Sequence, residues 1–298
     1  MSTNLHAYHD YLVKEKNYSA LTVKAYLNDI NSFQNFLTIH HDGALLEDVH
    51  YSLIRSWVVF LVENNIANKS INRKISSLKS FYKFLLKIKQ IKTTPLLKHK
   101  SLKTPKKVQI PFSEKEMIDV LEQNTFTLDF EGIRNRLIIE LFYATGIRRA
   151  ELINLRISNI DLVNVTFKVI GKRNKERIIP LLNCTVEILK QYLSVRKELE
   201  IIVFNDVLIL SKKGNKVSES FVYRLINDYF STVSLKVKKS PHVLRHSFAT
   251  HLLNNGADLN SVKELLGHAS LSSTQIYTHS SLAELKKVYQ EAHPRNQK

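Results

Sequence analysis

The apolar residues of the first ninety positions recur at the three- and four-residue spacing of amphipathic helices. After Ser19, a good N-cap residue, one apolar face is formed by Val23, Tyr26, Leu27, Ile30, Phe33 and Leu37. The next segment, "YSLIRSWVVFLV", is apolar on nearly all sides and predicts a helix buried between others. A further helix from Asn68 places Ile71, Ile75, Leu78, Phe81 or Tyr82, and Leu85 on one side. This pattern predicts a helical domain over residues 1–91.

The helical periodicity is lost in "TTPLLKHKSLKTPKKVQIP", which carries three prolines. Because proline interrupts helices and like charges repel, residues 92–112 are predicted to form an extended basic linker. Between Asn64 and Ser113 the chain has thirteen Lys and Arg residues and no acidic residue. A basic run that spans a helix face and a linker favours a surface that follows a phosphate backbone over a merely solvated linker.

The rest of the chain combines helical patterns with one hairpin pattern. The motif "SEKE", Ser113–Glu116, is a capping box, and "GIRNRLIIELFYA" predicts a long helix that ends at the Thr145–Gly146 turn. Alternation in "VTFKVIGKRNKERIIPL" predicts two strands, at Val165–Val169 and Arg177–Leu181. The fold class is therefore predicted to be mainly α, with a mostly helical α/β domain over residues 113–280 that contains a small antiparallel sheet.

A cluster of polar residues lies on predicted helices near the end of this domain. Ser240–Pro241 predicts a helix start, since Ser suits the N-cap and Pro the first helical position. His242 and Arg245 lie three residues apart at the positive end of that helix dipole, which predicts an anion site. Downstream, "DLNSVKELLGHAS" predicts a helix that is capped by Asp258 and stops at Gly267.

A metal site is the main alternative for this cluster, because His242 and His246 lie four residues apart. A zinc-protease helix would carry Glu directly after the first His, where this chain has Val243. No acidic residue follows in this segment before Asp258 to complete a metal cluster. We therefore expect no metal and no other cofactor, and we expect His246 and His251 to be surface or packing residues.

The charge of the chain changes the picture, because 44 Lys and Arg against 27 Asp and Glu give a net charge of +17. A surplus of this size favours nucleic acid as the partner over surface charge for solubility alone. The single cysteine, Cys184, excludes an internal disulfide and a thiolate metal cluster. The first residues lack a signal region and no run reaches the length of a membrane span, so we expect a soluble, cytoplasmic protein with no membrane partner.

Five segments together resemble the tyrosine site-specific recombinases, the phage integrase family. They are "YATGIRRAELINL", "IGKRNKERIIPL", "HVLRHSFATHL", "LLGHAS" and "STQIYTH". The resemblance implies a catalytic set of Arg148, Lys172, His242, Arg245, His268 and Tyr277, with Glu151 in support. Arg173 stands at a hairpin-turn position that is often Gly in the family, which leaves Lys175 as an alternative to Lys172.

The resemblance extends over nearly the full length. "YSALTVKAYLNDINSFQNFL" is similar to the family's core-binding helix, which implies a SAM-like DNA-binding domain at residues 1–91. "LKKVYQEAHPRNQK" resembles the tail of the Xer branch, which resolves chromosome dimers. Residues 281–298 are expected to form a tail helix that docks on a neighbouring protomer or on its own domain. The predicted DNA-binding residues are Lys69, Arg73, Lys79, Lys83, Lys87, Lys106 and Lys107.

The chemistry implied by the resemblance is cleavage and rejoining of DNA strands by transesterification, without metal or ATP. Tyr277 would attack phosphorus and form a 3′-phosphotyrosyl link with a free 5′-hydroxyl. Arg148 and Arg245 would hold the non-bridging oxygens, where negative charge grows in the transition state. Lys172 would protonate the departing 5′-oxygen.

The two histidines and the glutamate have supporting roles in this scheme. His242 would take the tyrosine proton or hydrogen-bond the phosphate, and His268 would donate to a phosphate oxygen. Glu151, three residues after Arg148, would position that arginine or His242, and a plain surface ion pair is equally compatible with the spacing.

The implied partner is double-stranded DNA, held between two basic domains that close as a clamp. Strand exchange implies four protomers on two DNA sites, as a homo-tetramer or with a related recombinase, and a DNA translocase is a further candidate partner. The leading function is chromosome dimer resolution. Three alternatives remain: a mobile-element integrase or invertase, a type IB topoisomerase-like nicking and closing enzyme, and a DNA-binding architectural protein without catalysis.

Overall fold

The computed structural model describes residues 3–105, 109–122, 126–171, 176–236, 238–267 and 279–296. The chain divides into two compact units, Met1–Lys107 (unit 1) and Val108–Lys298 (unit 2), each with its own hydrophobic core. The predicted fold class, mainly α with one small antiparallel sheet, is confirmed. None of the described helices is both long enough and apolar enough to cross a lipid bilayer.

The described part of unit 1 contains four α-helices, which are α1 (Thr3–Asp10), α2 (Ala20–His40), α3 (Tyr51–Glu63) and α4 (Asn68–Lys87). A π-helical turn, Tyr11–Glu15, follows α1, and a 3-10 turn, Leu46–Asp48, precedes α3. The predicted cap of α2 is confirmed, because the Ser19 side chain accepts a hydrogen bond from the Thr22 N–H at 3.3 Å.

Helix α3 departs from its prediction. Its residues Ile54, Trp57 and Leu61 face the core of unit 1, whereas Val59 and Val62 are each 48% exposed. The prediction of a helix buried on all sides is therefore wrong, because unit 1 covers only one face of α3. An apolar pattern all round a helix does not say how many faces its neighbours reach.

The described part of the stretch 92–112 is anchored at both ends. Leu96 is buried in the core of unit 1, and Asn72 of α4 forms hydrogen bonds with the N–H and the carbonyl of Leu102, each at 2.9 Å. At the other end Phe112 is buried in the core of unit 2, and its N–H donates to Ser247 Oγ at 2.8 Å. No helix or strand runs through residues 92–105 or 109–112.

Unit 2 holds the remaining described elements, which in chain order are α5 (Glu114–Glu122), α6 (Phe130–Thr145), α7 (Arg149–Ile153), β1 (Ile160–Asp161), β2 (Thr166–Ile170), β3 (Glu176–Pro180), α8 (Asn183–Lys197), α9 (Glu219–Ser231), α10 (Pro241–Asn254), α11 (Leu259–Leu266) and α12 (His279–Ala292). The described part of unit 2 also contains two 3-10 turns, Ile157–Asn159 and Pro294–Asn296.

The sheet of unit 2 has the strand order β1-β2-β3, and both pairs are antiparallel. The predicted hairpin is confirmed in β2 and β3, whereas β1, at two residues, is too short to be recognised by alternation. Phe167 pairs with Ile179 and Val169 with Arg177, and all four side chains are buried. The inner face of the sheet therefore carries one arginine among apolar residues, and that charge requires a buried partner.

The ends of α5, α6 and α11 agree with their predicted caps. Ser113 and Glu116 form the capping box of α5, with backbone-to-side-chain distances of 2.7 and 3.2 Å. Asp258 caps α11, and α6 and α11 each end at a left-handed glycine, Gly146 and Gly267. A Cβ at Gly146 would lie 2.4 Å from a ring carbon of Phe248, so this turn needs glycine for packing as well as conformation.

Helix α10 starts as predicted, with Ser240 at the N-cap position and Pro241 at the first helical position. The Ser240 hydroxyl, however, has no hydrogen-bond partner among the described residues, so the predicted cap hydrogen bond is wrong. Ser240 is buried at this position, and its backbone is extended as in other N-cap residues.

Helix α12 packs on unit 2 in this protomer. Leu285, Tyr289 and Ala292 are buried in the core of unit 2. Tyr289 Oη donates to the Ala144 carbonyl at 2.6 Å, and His293 Nε2 lies 3.1 Å from the carbonyl oxygen of Tyr143. The carboxyl end of the chain therefore contributes to the same core as α6.

Candidate active site

Part of the predicted catalytic set lies within the described residues. These are Arg148, Glu151, His242 and Arg245. Lys172, its alternative Lys175, His268 and Tyr277 lie outside the described residues.

Arg148 stands just before α7, two residues after the glycine that ends α6. Its backbone N–H donates to Glu151 Oε2 at 2.9 Å, and its Nη1 donates to Glu151 Oε1 at 2.7 Å. Its Nη2 donates to the Gly267 carbonyl, at the end of α11, at 3.0 Å. Glu151 lies in the first turn of α7, where the helix dipole favours a negative charge.

Arg245, on α10, also donates to carbonyl groups at the ends of α6 and α11. Its Nη1 donates to the Gly146 carbonyl and its Nη2 to the Leu266 carbonyl, the latter at 2.6 Å. The guanidinium groups of Arg148 and Arg245 thus bind the ends of α6 and α11, whose last carbonyls have no partner inside the helix. The structure brings these two arginines together.

Arg177 of β3 belongs to this cluster and was missed by the sequence analysis. Its Nη1 and Nη2 donate to the two carboxylate oxygens of Glu151 at 2.9 and 2.8 Å, and its Nε donates to the Leu265 carbonyl at 3.1 Å. The available signal was the two-residue alternation of β3, which puts Arg177 on the same buried face as Ile179. A buried arginine calls for a carboxylate, but the sequence does not say which one.

The charges in the cluster affect one another. Burial raises the pKa of Glu151, but the hydrogen bonds and charges of Arg177 and Arg148 outweigh it and lower that pKa to about 2. Burial, followed by repulsion from Arg148 and Arg177, lowers the pKa of Arg245 to about 9. Three guanidinium groups therefore face one carboxylate, and the surplus positive charge favours binding of an anion.

Among the described residues, Arg148 and Arg245 have hydrogen-bond partners for only part of their side-chain donors. A guanidinium has five N–H donors, and Arg148 and Arg245 each use two side-chain nitrogens on partners among the described residues. The remaining donors of each side chain can bind non-bridging phosphate oxygens while the carbonyls hold the planes of the guanidinium groups.

His242 is exposed near the start of α10, beside these arginines. Partial desolvation comes first among the causes that lower its pKa from 6.5, and the charges of Lys238, Arg149, Arg245 and Arg148 lower it further. The imidazole is therefore neutral at pH 7 and can accept a proton. The sequence analysis did not recognise Lys238 and Arg149, since Lys238 precedes α10 and Arg149 lies on a different helix, α7.

The other two histidines of α10 do not join this site. His251 is buried and lies 2.9 Å from both Tyr143 Oη and the Phe112 carbonyl oxygen, so its predicted packing role is confirmed. His246 is exposed. Within the described ranges, no three His, Cys, Asp or Glu side chains are grouped so as to hold a metal ion.

The predicted DNA-binding residues of α4 fall into two sets. Three of them are exposed and form no ion pair with any described residue: Lys69, Lys79 and Lys83. Paired with carboxylates are Arg73, with the buried Asp29, and Lys87, with Glu15. Lys106 and Lys107 lie outside the described residues.

Comparison with protein families gives two matches. Residues 111–284 match the phage integrase family, and residues 5–89 match the N-terminal SAM-like domain of phage integrases. Together these ranges cover most of the chain.

Two curated relatives are similar over nearly their whole length. The chain is 40% identical to the tyrosine recombinase XerC of Anoxybacillus flavithermus, over 98% of this chain and 97% of that protein. It is 36% identical to the tyrosine recombinase XerD of Staphylococcus aureus, over 99% of this chain and 100% of that protein.

Solved structures agree in fold. The XerH site-specific recombinase bound to a palindromic difH substrate superposes with a TM-score of 0.73 at 24% identity, over 96% of this chain and 83% of that one. The Tn1549 transposon integrase in complex with circular intermediate DNA superposes with a TM-score of 0.69 at 18% identity, over 95% and 99% of the two chains.

Proposed function

The chain belongs to the phage integrase family of tyrosine recombinases, enzymes that cleave and rejoin DNA in site-specific recombination, and we propose that it resolves chromosome dimers. Two relatives with the Xer name match this chain over nearly its full length, which supports this assignment. Its place of action in the proposal is the cytoplasm, where bacterial chromosomal DNA lies.

The observation that carries the proposed strand cleavage is the arginine cluster at the end of α11. Arg148 and Arg245 come from distant parts of the chain, yet they bind the adjacent carbonyls of Gly267 and Leu266. Neither uses all of its donors on described residues, and their repulsion is relieved when an anion binds between them. A scissile phosphate is the anion that this family acts on.

In the proposed reaction, Tyr277 attacks the phosphorus and its proton passes to His242, which is neutral at pH 7. The bond to the 5′-oxygen breaks, and Lys172 protonates that oxygen, so a 3′-phosphotyrosyl link and a free 5′-hydroxyl result. Arg148 and Arg245 stabilise the negative charge that develops on the non-bridging oxygens, and His268 donates to one of them. Rejoining is the reverse attack by a 5′-hydroxyl, so no ATP and no metal ion is consumed.

The proposed partner is duplex DNA. The two units close on it as a clamp, and the exposed lysines of α4 neutralise phosphates of its backbone. Exchange between two duplexes requires four protomers on two sites, made of this chain alone or of this chain and a related recombinase, with a DNA translocase as regulator.

A nicked duplex tests the chemistry, because the short 5′-hydroxyl strand diffuses away after cleavage and traps the covalent adduct. We expect the native chain to form this adduct in the presence of EDTA, and Tyr277→Phe to bind DNA without forming it. Tyr223→Phe is the matched control, since Tyr223 is an exposed tyrosine of α9 in the same unit. An adduct formed by Tyr277→Phe, or lost only in EDTA, would refute the proposed chemistry.

The general acid is tested with a substrate whose 5′-bridging oxygen is replaced by sulfur, a leaving group that needs no proton. This substrate should restore cleavage by Lys172→Ala and make no difference to Lys175→Ala. Rescue of Lys175→Ala alone would assign the proton to Lys175.

The biological target is tested by sequencing the DNA crosslinked to the protein in its host. A single chromosomal site near the terminus of replication supports dimer resolution. A site at the ends of an insertion or inversion would replace that role by the mobile-element alternative, with the chemistry unchanged.

A further inference from the structure

The end of α11 binds three arginines through three consecutive carbonyl groups. The carbonyl of Leu265 accepts from Arg177, that of Leu266 from Arg245, and that of Gly267 from Arg148. These carbonyls are the negative end of the helix dipole and lack partners within the helix. Two of the three, Arg148 and Arg245, are the arginines proposed to bind the scissile phosphate, and Arg177 is the third.

Arg177 is joined to Arg148 by a continuous chain of hydrogen bonds through Glu151. It donates to both oxygens of Glu151, and Glu151 in turn accepts from the backbone and the side chain of Arg148. The Arg177 and Glu151 side chains are 6% and 5% exposed. Arg177 is thus too deeply buried to touch a DNA phosphate, and any effect on the reaction must pass through its neighbours.

Arg177 also lies against Gly267, the residue at which α11 ends. Gly267 has a φ of +63°, and a Cβ added there would meet Cδ of Arg177 at 3.0 Å and two of its nitrogens at 3.3 Å. The turn therefore lies directly against the Arg177 side chain, and His268 is the next residue. Arg177 itself stands near the turn end of the β2–β3 hairpin, opposite Val169 and close in sequence to Lys172.

We propose that Arg177 is a positioning residue for strand cleavage, which holds Glu151 and the end of α11 so that Arg148 and Arg245 align on one phosphate. The inference rests on the proposed function. It requires an arginine, because only a planar guanidinium can bind both carboxylate oxygens and still direct Nε to the Leu265 carbonyl. A lysine keeps the charge but presents a single nitrogen.

The test compares Arg177→Lys with Arg196→Lys. Arg196 is a matched control, because it is as buried as Arg177, lies in unit 2, and donates to three backbone carbonyls, those of Phe204, Asn205 and Val207. The native chain is first shown to form the covalent adduct on a nicked duplex. The cleavage rate constant at saturating DNA, the DNA dissociation constant and the unfolding midpoint are then measured for each variant.

We expect Arg177→Lys to cleave about tenfold or more slowly at saturating DNA, since small misplacements of catalytic groups have large effects on rate. Its affinity for DNA should remain within about twofold of the native value, because the surface phosphate contacts that dominate affinity are untouched. Arg196→Lys should lower the unfolding midpoint while its folded fraction cleaves at the native rate. Cleavage by folded Arg177→Lys at the native rate would overturn the inference.

A second pair of variants decides the matter if Arg177→Lys does not fold at the assay temperature. Gly267→Ala pushes the end of α11 away from Arg177, whereas Gly256→Ala meets nothing within 4 Å at a similarly strained φ of +91°. We expect the first to slow cleavage by the folded protein and the second to leave it unchanged. Equal rates would overturn the inference. Absence of the adduct in the native chain would instead refute the proposed function.

Discussion

Arg148 and Arg245 donate to neighbouring carbonyl groups of one helix end, Arg148 to Gly267 at 3.0 Å and Arg245 to Leu266 at 2.6 Å. One arginine precedes α7 and the other lies on α10, so only folding brings them together. After burial, repulsion from Arg148 is the next cause that lowers the pKa of Arg245, and Glu151 supplies one negative charge against these two positive charges. The surplus positive charge of the cluster favours binding of a further anion.

The cleavage rate should fall at low pH as His242 becomes protonated, and this fall is the acid limb of the pH profile. Desolvation and four nearby cations lower its pKa below 6.5, so the neutral form is kept at pH 7 and lost as the pH falls through the lowered pKa. Lys238→Ala removes one cation, raises the pKa of His242 and should move the limb to higher pH. Single-turnover cleavage across pH 5–8 measures this.

Lys239→Ala is the control for this prediction, because Lys239 is not among the four cations named as lowering the pKa of His242. It should leave the acid limb in place. A limb that does not move in Lys238→Ala would show that a group other than His242 titrates.

The Glu151 ion pairs should make unit 2 sensitive to acid. The pKa of Glu151 is lowered from 4.5 to about 2, so its contribution to stability is present above pH 4.5 and is lost as the pH falls toward 2. At about 1.4 kcal/mol per pKa unit the contribution is about 3 kcal/mol. Urea denaturation of Glu151→Gln followed by circular dichroism should show a loss of this order at pH 7 and a weaker dependence on pH below 4.5.

Glu116 has a similarly low pKa, about 2, and serves as the comparison. The free energy of unfolding of Glu116→Gln should still fall below pH 4.5 by the amount that Glu151 contributes. If Glu151→Gln retained the full native dependence on pH, the ion pairs with Arg177 and Arg148 would contribute little to the free energy of unfolding.

The basic residues of α4 should differ in their effect on DNA binding. Lys79→Ala and Lys83→Ala should each lower the slope of log affinity against log salt by about 1, because each lysine releases about one counterion. Arg73→Ala should instead destabilise unit 1 by about 1–2 kcal/mol, since among the described residues it leaves the buried Asp29 with Lys74 and Ser77. Fluorescence anisotropy over a salt series and urea denaturation separate the two effects.

Lys14→Ala is a suitable control for the salt series, because Lys14 is an exposed lysine that pairs with Asp10 at 2.7 Å. A loss of salt dependence in Arg73→Ala equal to that in Lys79→Ala, with unchanged stability, would place Arg73 on the DNA surface.

Helix α12 should stabilise the free protomer. Tyr289 is completely buried in unit 2 and donates to the Ala144 carbonyl. Tyr289→Ala should lower the free energy of unfolding by about 3–5 kcal/mol at protein concentrations where the chain is monomeric. A tail helix used only between protomers would leave the stability of the monomer unchanged.

Local features were predictable because their physical causes lie within a few residues. The capping box at Ser113–Glu116, the cap at Asp258 and the glycine turns at Gly146 and Gly267 all depend on hydrogen bonds across three to five positions. The hairpin followed from alternation over two short strands. The all-round burial of α3 failed because burial depends on neighbours that are remote in the chain.

By itself, the sequence determined the fold class and the family, and it predicted Arg148, Arg245 and His242 as members of one site, since residue types and short spacings carry that information. Only the tertiary structure decided that Arg177 neutralises Glu151 and that three arginines share the end of α11. Alternation along β3 places Arg177 on a buried face, but the partner of a buried charge is chosen by the packing of distant segments. That choice is a property of the fold, and no local pattern encodes it.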